Sequence, residues 1–385
     1  MAASLAAVLR ELEGWGAERG WVGPDPYEGL NTAAGRSVRS RRVRQAVIQI
    51  YKRLPVTPPW PLRASPQPNA KALALALSAY STPSGMALSG AERYLTRLPE
   101  ELERLNLLEG SQAAWGYPFD AQTRHLFYDR STPNAIATCF VVGALIDAAE
   151  ATGETRHSEM ALRARPFLLS LAANHDGRPY FSYVRAGSEL IHNANLLVCG
   201  TLARLHRLAP DESARTMVLM ATETTVALQN PDGLWAYGEA TNLRWRDNFH
   251  TAYVLEGLAR VNTAFGFGAE ALASGVTAWL DTFFEPDGWA RYFPHSHFPL
   301  DAHCSASAID LLCVLADQAH EPVDDQWTEW ANRVAETAIR ELWLPEEGRF
   351  AFKRTTHGLN KRAFMRWTNT PMFRALANLH SVTSV

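Results

Sequence analysis

Histidine, asparagine and aspartate side chains recur at a few short points of this 385-residue chain. They occur at Asn134, His192-Asn193, Asp247-Asn248-Phe249-His250 and Asp301-Ala302-His303. Imidazole titrates near neutral pH, and a carboxylate one helical turn away orients it and raises its pKa. Asp247 and His250 are spaced i,i+3, so they share one face of a helix. These residue types therefore predict general acid–base catalysis.

The reaction depends on which of these groups meet. A set of His, Tyr and Asn side chains suits proton abstraction next to a carboxylate, as in uronate lyases and epimerases with toroidal folds, and Tyr253 follows His250 by three residues. Two aspartates facing each other across a cavity would instead suit glycoside hydrolysis. The predicted catalytic residues are Asp247, His250, His192, Asp301, His303 and Tyr253.

Two other interpretations apply to the same residues. Asp247 would serve as a helix N-cap, with Asn248 and His250 bonded to turn backbones, although histidine is not a favoured capping residue. Aspartate and histidine are also ligands for zinc or another divalent ion. The spacing matches no recognised zinc signature, so we predict no cofactor and keep a divalent metal as the alternative.

Aromatic residues are concentrated in the turns and helix starts of a chain with 12 tryptophans and 11 tyrosines. Aromatic faces stack on sugar rings, and they also line isoprenoid pockets or pack hairpin ends together. Their mixture with Asp, Asn, His and Arg favours a polar ligand. The predicted substrate-binding residues are Asn134, Asn193, Asn248, Trp115, Tyr117, Trp235, Trp245, Trp289, Trp367 and Arg246.

A unit that recurs about every 55 to 60 residues would position these side chains. Each unit has a turn containing Asp-Gly or Glu-Gly (Gly177, Gly233, Gly288 and Gly348) followed by a helix that opens with polar residues. Repeats of this length indicate stacked units that cannot bury their apolar faces alone. Helical periodicity is found at 38–53, 69–80, 88–106, 133–151, 158–173, 191–208, 212–229, 247–263, 269–284, 303–318, 325–342 and 366–380.

These segments predict an all-α (α/α)6 toroid of about six helical hairpins, with an open solenoid as the alternative. Short β-hairpins are expected at one rim, at 180–183 and 349–353. Residues 1–68 are expected to form an N-terminal helical segment with a Pro-rich linker, and residues 69–385 the toroid domain. In a closed ring, the polar helix starts would open toward one cavity mouth.

Composition narrows the possible partners and location. A net charge of −3 and a pI near 6.5 argue against nucleic acid. The four widely spaced cysteines form no CxxC pair and fit reduced thiols, so a cytoplasmic location is expected. We find no secretory signal and no run of the ~18 to 20 uncharged apolar residues that a membrane helix needs. The sequence does not indicate the oligomeric state.

Two resemblances add to this interpretation. The segment 229–235, Gln-Asn-Pro-Asp-Gly-Leu-Trp, resembles the Gln-x3-Gly-x-Trp turn of the terpenoid cyclase and prenyltransferase toroids. The chain more closely resembles a poorly characterised toroid family associated with bacterial polysaccharide biosynthesis. The motifs concerned are 115–120, 132–134, 191–196, 247–251 and 301–306. This second resemblance implies an oligosaccharide or glycan-linked substrate.

Three functions therefore remain open. The leading one is a carbohydrate-active enzyme of lyase, epimerase or hydrolase type that acts through His/Asp acid–base chemistry. The second is a terpenoid cyclase or prenyltransferase-like enzyme, although the chain lacks Asp-x-Asp-Asp and Asp-Asp-x-x-Asp motifs and Asp324-Asp325 falls in a predicted outer helix. The third is a non-catalytic glycan-binding or scaffold protein.

Overall fold

The computed structural model describes residues 4–122, 127–318 and 326–384. Within these ranges the α-helices are α1 (Leu5–Glu18), α2 (Arg41–Arg53), α3 (Ala70–Tyr80), α4 (Pro83–Met86), α5 (Ala91–Arg104), α6 (Ala135–Thr152), α7 (Thr155–Leu162), α8 (Arg165–Leu169), α9 (His192–Leu208), α10 (Glu212–Val226), α11 (Asn248–Phe265), α12 (Ala269–Phe283), α13 (Ala302–Gln318), α14 (Gln326–Leu342) and α15 (Thr370–Thr383). The strands are β1 (Ala121–Gln122), β2 (Phe127–Tyr128), β3 (Ala172–His175), β4 (Arg178–Phe181), β5 (Arg291–Phe293), β6 (Ser296–Asp301), β7 (Trp343–Leu344), β8 (Arg349–Phe350), β9 (Lys353–Thr355) and β10 (Gly358–Asn360).

The predicted (α/α)6 toroid is confirmed. Helices α3, α6, α9, α11, α13 and α15 form an inner ring in which each packs against the next, and α15 returns to α3. Their outer partners are α5, α7, α10, α12, α14 and α1. Because α15 contacts α3, the ring is closed and the open-solenoid alternative is wrong.

Helix α1 is the outer partner of α15, the last inner helix. It begins at Ser4, whose side chain accepts a hydrogen bond from the Ala7 N–H, and it buries Val8, Leu9 and Leu12. Residues 1–68 were expected to contain a helical segment, but no helix was delimited before residue 38 and none was expected to pack on the last helix of the ring. Helix α1 thus joins the two ends of the described chain.

Small residues let the inner helices approach one another closely. Every residue of α3 is buried, and α9 crosses α11 where Gly200 faces Gly257. A Cβ added at Gly257 would lie 2.3 Å from the Leu196 carbonyl oxygen, so this contact requires glycine. Asn69 and Asn134 cap α3 and α6, because their side chains accept backbone N–H groups that have no helical partner.

Two predicted helices differ in the structure. The segment 158–173 is split into α7 and α8 and ends in strand β3, since Pro166 begins a new helix rather than continuing the old one. The segment 366–380 opens with a π-helical turn at Met365–Asn369 before α15 begins. Asp324-Asp325, assigned above to an outer helix, lie outside the described residues.

The strands lie in the connections that lead from outer to inner helices. The expected hairpins at 180–183 and 349–353 correspond to the pairs β3–β4 and β7–β8. A four-stranded antiparallel sheet of order β10-β9-β6-β5 was not predicted, because its strands lack clear period-two alternation. The repeated turn glycines Gly177, Gly233, Gly288 and Gly348 all have positive φ, which explains the recurring Asp-Gly or Glu-Gly pair.

These long connections collect at one end of the ring. Inner helices of successive hairpins run in the same direction, so all of them begin at this end, which we call the mouth. Residues 20–68, the N-terminal strap, cross the mouth, and Gly23 pairs with Gln67 to hold the strap's two ends together. The Asp25 carboxylate forms a buried ion pair with Arg366, which anchors the strap to the start of the last inner helix.

Helix α6 is long and apolar enough to cross a membrane by length and composition alone. It carries Asp147 and Glu150, so it does not contradict the absence of an uncharged run. Two thirds of it (67%) is buried inside the protein, and it occupies a place in the inner ring. Its apolar character is that of a core helix.

Candidate active site

Asp247 and His250 form a hydrogen-bonded pair at the start of α11. Asp247 Oδ1 accepts the His250 backbone N–H at 2.9 Å, which caps the helix, and Asp247 Oδ2 lies 2.8 Å from His250 Nδ1. Since an ionised carboxylate only accepts, His250 Nδ1 carries the proton. His250 Nε2 has no hydrogen bond to any described residue. With its side chain 22% exposed, His250 is a candidate proton-transfer group, and the cap and the catalytic interpretation apply together.

Aromatic rings surround His250. The Tyr237 ring stacks on Trp245 at 4.3 Å and meets the His250 ring edge-on at 4.6 Å. Trp245 is 37% exposed, so part of this aromatic surface faces solvent. Beside it, a small pocket is lined by Asn193, Trp235, Tyr237, Arg246, Asp247 and His250. Five of these six are predicted site residues, which the fold brings together from the ends of α9 and α11 and the loop between α10 and α11.

Several tyrosines converge at the mouth. This tyrosine cluster consists of Tyr117, Tyr128, Tyr183, Tyr237 and Tyr292, which are contributed by four separate connections, the first of which supplies both Tyr117 and Tyr128. Burial raises the pKa of every one of them, and that of Tyr128 reaches about 12. The phenols are therefore neutral near pH 7 and act as hydrogen-bonding and stacking groups. Of this cluster, Tyr117 alone was among the predicted substrate-binding residues.

A second polar chain lies deeper in the ring. His303 Nδ1 donates to the Trp367 carbonyl at 3.0 Å, so His303 Nε2 accepts from the Tyr253 hydroxyl at 2.9 Å. Lys71 Nζ donates in turn to the Tyr253 oxygen at 3.3 Å. Burial, and then the nearby cations Lys71 and Arg366, hold the pKa of His303 well below its usual value. His303 is therefore neutral, and its ring nitrogens are both occupied by protein groups.

Asp301 caps the start of α13. Its Oδ1 accepts the His303 backbone N–H at 2.9 Å and the Trp367 indole N–H at 3.3 Å. Burial raises its pKa to about 6, although Lys353 and Lys52 oppose that shift. No group of three or more His, Cys, Asp or Glu side chains in the described parts of the chain is arranged to hold a metal ion. The structure thus does not gather Asp247, His250, Asp301 and His303 into a ligand set.

The strap adds residues that sequence reasoning missed. Lys52 Nζ donates to the Tyr27 hydroxyl at 2.8 Å and lies 4.9 Å from the centre of the Trp367 ring. The Tyr27 ring is 5.4 Å from Trp367. Lys52 lies in the predicted helix 38–53, which gave no signal of a site. Lys71, in contrast, was visible as a lone cation in an otherwise apolar helix.

Other predicted residues are placed in packing or capping roles. His192 is fully buried, with Nδ1 3.1 Å from Thr225 Oγ1 and Nε2 3.0 Å from Glu239 Oε1, so it ties a turn to α10. The Asn248 amide donates to the Arg291 carbonyl, and its oxygen accepts from the Trp279 indole. Asn134 caps α6. Both polar side-chain atoms of His192 and of Asn248 are therefore occupied by protein groups.

Three predicted tryptophans hold the hairpin ends. The buried indole N–H groups of Trp115, Trp235 and Trp289 donate to the backbone carbonyls of Leu102, Thr225 and His297. The Gln229 amide, from the Gln-x3-Gly-x-Trp turn, donates to the Gly233 and Ala271 carbonyls and ties this turn to α12. The repeated aromatic turns therefore act first as structural joints, while Tyr117, Trp245 and Trp367 border the mouth.

Comparison with known proteins extends the description of the fold. No family model matches the chain, and no curated protein matches its sequence. Solved structures with the same architecture include the cellobiose 2-epimerase of Bacillus thermoamylovorans, with a TM-score of 0.63 and 11% identity over 82% of this chain and 88% of that chain. A GH76 α-mannanase of Bacteroides thetaiotaomicron has a TM-score of 0.63 and 13% identity over 82% and 88%.

A polysaccharide lyase is also similar, with a TM-score of 0.57 and 11% identity over 82% of this chain and 92% of that chain. Likeness at such low identity shows a shared fold. The chain is therefore an α/α toroid, joined to these proteins by architecture rather than by sequence.

Proposed function

We propose that this protein is an enzyme that acts on a glycan, with His250 as the proton-transfer group and Asp247 as the residue that orients it. The observation that carries the proposal is the hydrogen-bonded Asp247–His250 pair. The Nε2 atom of His250 is unoccupied and lies beside the exposed ring of Trp245. A carboxylate on Nδ1 fixes the tautomer in which Nε2 can accept a proton, and it stabilises the imidazolium that results. Trp245 and Tyr237 supply a flat surface on which a sugar ring can stack.

The geometry favours proton transfer at carbon over glycoside hydrolysis. Hydrolysis by two carboxylates requires one to protonate the leaving group and the other to face the anomeric carbon or a water. Asp247 is committed to His250, and Asp301 is committed to the His303 backbone and the Trp367 indole. Both carboxylates are 2% exposed. A lyase or an epimerase, in which one histidine removes a proton next to a carbonyl or carboxylate, fits this arrangement better.

The substrate class rests on the aromatic mouth and on the structural neighbours. The similar structures include a cellobiose 2-epimerase and a polysaccharide lyase, whose names describe chemistry on carbohydrate. The neutral tyrosine cluster supplies hydrogen-bonding groups without net charge, as an oligosaccharide requires. We place the reaction in the cytoplasm, on an oligosaccharide or glycan-linked intermediate of polysaccharide assembly, without a resident cofactor.

The test is a panel of neutral and uronate-containing oligosaccharides incubated with the protein in D2O. Proton NMR reports deuterium entering at carbon and new epimers, ultraviolet absorbance reports an unsaturated uronate, and a reducing-end assay reports hydrolysis. The variant His250→Gln should lose about 10²–10⁴-fold in rate, the usual contribution of a general base. His357→Gln, at an exposed turn between β9 and β10, is the matched control and should match the wild type.

Hydrolysis without deuterium entry at carbon would contradict proton transfer at carbon and would support the hydrolase alternative. Full activity in His250→Gln would show that a residue other than His250 transfers the proton. A second candidate is glycan binding without catalysis, which is favoured by the seating of Tyr27 and Lys52 over Trp367 at the mouth. Binding of an oligosaccharide with no turnover in any arm would support that candidate.

A further inference from the structure

A large cavity lies at the far side of the ring from the mouth. It has a volume of about 760 Å³ and is lined by the middle and C-terminal parts of the inner helices. Every inner helix contributes at least one polar or charged side chain to its wall: Ser78, Asp147, Arg204, Glu256, Asp310 and Arg374. Its volume falls within the range of about 300–1,000 Å³ that is typical of small-molecule sites.

The wall is a set of ordered ion pairs. Arg204 lies 2.7 Å from Asp147 across α9 and α6, and Arg374 lies 2.7 Å from Asp310 across α15 and α13. Arg260 lies 2.8 Å from Glu256 on α11. Each pair presents a donor beside an acceptor, and the partners are held in place before any ligand arrives.

The charges of the cavity wall indicate which class of ligand the cavity can bind. The described lining residues include five carboxylates and three guanidinium groups, so the cavity has a net negative charge and disfavours an anion. A cation that approached Asp147, Glu256 or Asp310 would meet the guanidinium group paired with that carboxylate. A neutral ligand with many hydroxyl groups meets neither penalty, because each hydroxyl both donates to a carboxylate and accepts from a guanidinium.

A protein floor separates this cavity from the mouth. Phe140 lines the cavity, and its ring packs 5.5 Å from the Tyr253 ring and 3.9 Å from Lys71 Nζ. Tyr253 in turn holds His303, as described above. We propose that this axial cavity is a second binding site, for a neutral carbohydrate of one or two sugar rings, and that it is distinct from the acid–base site at the mouth.

Gly143 offers a direct test. It lies on α6 in the cavity wall, and a Cβ added there would approach Arg204 Nη1 at 3.7 Å, an ordinary contact distance. Gly143→Phe should therefore fill the cavity from an unstrained helical position, while Gly143→Ala leaves most of it open. Val314→Phe, on α13, fills the same cavity from another helix and serves if the first variant does not fold.

Calorimetric titrations with glucose and cellobiose, and with spermidine as a cationic probe, measure the outcome. We expect a sugar to bind the wild type, Gly143→Ala and His250→Gln with similar affinity. Its affinity for the filled variants, Gly143→Phe and Val314→Phe, should be at least tenfold lower. A thermal melt confirms that each variant is folded. Sugar binding that persists in both filled variants, or that disappears in Trp245→Ala, would place the sugar elsewhere and overturn the proposal. Binding of spermidine but of neither sugar would overturn the ligand class. These binding measurements do not depend on the reaction proposed for the mouth.

Discussion

At the scale of single residues, the same contact serves stability and chemistry. Asp247 caps α11 through the His250 backbone and fixes the His250 ring through Nδ1. The two roles use different properties of the side chain. Capping needs an acceptor oxygen, whereas holding the imidazolium needs a negative charge. Substitution can therefore separate them.

We predict that Asp247→Asn keeps the cap and loses the charge. Its thermal stability should stay close to that of the wild type, while turnover falls because a neutral amide holds the imidazolium of His250 less strongly than a carboxylate does. Asp247→Ala should lose the rate and, in addition, about 0.5–2 kcal/mol of unfolding free energy from the missing cap. Urea unfolding and turnover rates of both variants provide the check. Equal stability of the two would show that the cap contributes little.

At the scale of elements, the ring depends on close helix crossings and the mouth on the strap. The crossing of α9 and α11 tolerates no Cβ at Gly257, whereas Gly143 on α6 has room for one. The strap is held by buried charge: Asp25 pairs with Arg366, and Glu28 lies beside them, 4% exposed, with its Oε2 lacking a hydrogen-bond partner.

Two glycine substitutions should have opposite effects on stability. Gly257→Ala forces the Leu196 backbone away from α11, and overpacking of this kind costs about 1–3 kcal/mol. Gly143→Ala should stabilise by about 0.5–1 kcal/mol, since glycine in a helix interior is unfavourable and the new methyl meets no obstacle. Urea unfolding measures both. A stabilised Gly257→Ala variant would mean that the two helices are not in the contact described.

Seating of the strap should weaken as pH rises. Burial, reinforced by Asp25, raises the pKa of Glu28 from 4.5 to about 8 in the folded protein. The seated strap binds this proton more tightly than a detached strap, so the seated state loses stability between pH 4.5 and pH 8. Limited proteolysis within α2 should be faster at pH 9 than at pH 6. Glu28→Gln keeps the side chain neutral and should remove that difference, and a pH effect that persists in this variant would exclude Glu28 as its cause.

At the scale of the whole molecule, closure of the ring joins the two ends of the described chain. Helix α1 packs on α15, and α15 packs on α3, so an N-terminal helix stabilises a C-terminal one. A destabilising substitution in α1 should therefore lower the stability of the entire ring rather than that of α1 alone. The apolar residues Val8, Leu9 and Leu12 are the ones that this helix buries.

Leu12→Ala is expected to destabilise the protein by about 2–5 kcal/mol, as large-to-small changes in a core do. Unfolding followed by near-ultraviolet and far-ultraviolet circular dichroism should shift as one transition. Glu11→Ala, on the exposed side of the same helix, should leave the midpoint within about 0.5 kcal/mol of the wild type. Separate transitions by the two probes would show that α1 unfolds independently of the ring.

Local sequence patterns predicted much of this protein. Helical periodicity located nearly every inner and outer helix, because amphipathic spacing and capping residues act within a few turns. The recurring Asp-Gly turns indicated the hairpin repeat, and each of those glycines has the positive φ that favours glycine. The i,i+3 spacing of Asp247 and His250 was sufficient to predict that their side chains meet; they do so by a hydrogen bond, with Asp247 as the N-cap rather than within the helix.

Tertiary structure alone decided which of these residues are available for chemistry. His192, His250 and His303 stand at equivalent helix starts in the sequence, but only His250 keeps a ring nitrogen unoccupied among the described residues, because the partners of the other two come from distant segments. Lys52 likewise lies at the mouth only because the strap, which is distant in sequence from the inner helices around it, folds across the mouth. The axial cavity exists only once six helices close into a ring, and closure depends on contacts between residues hundreds of positions apart, which no local pattern encodes.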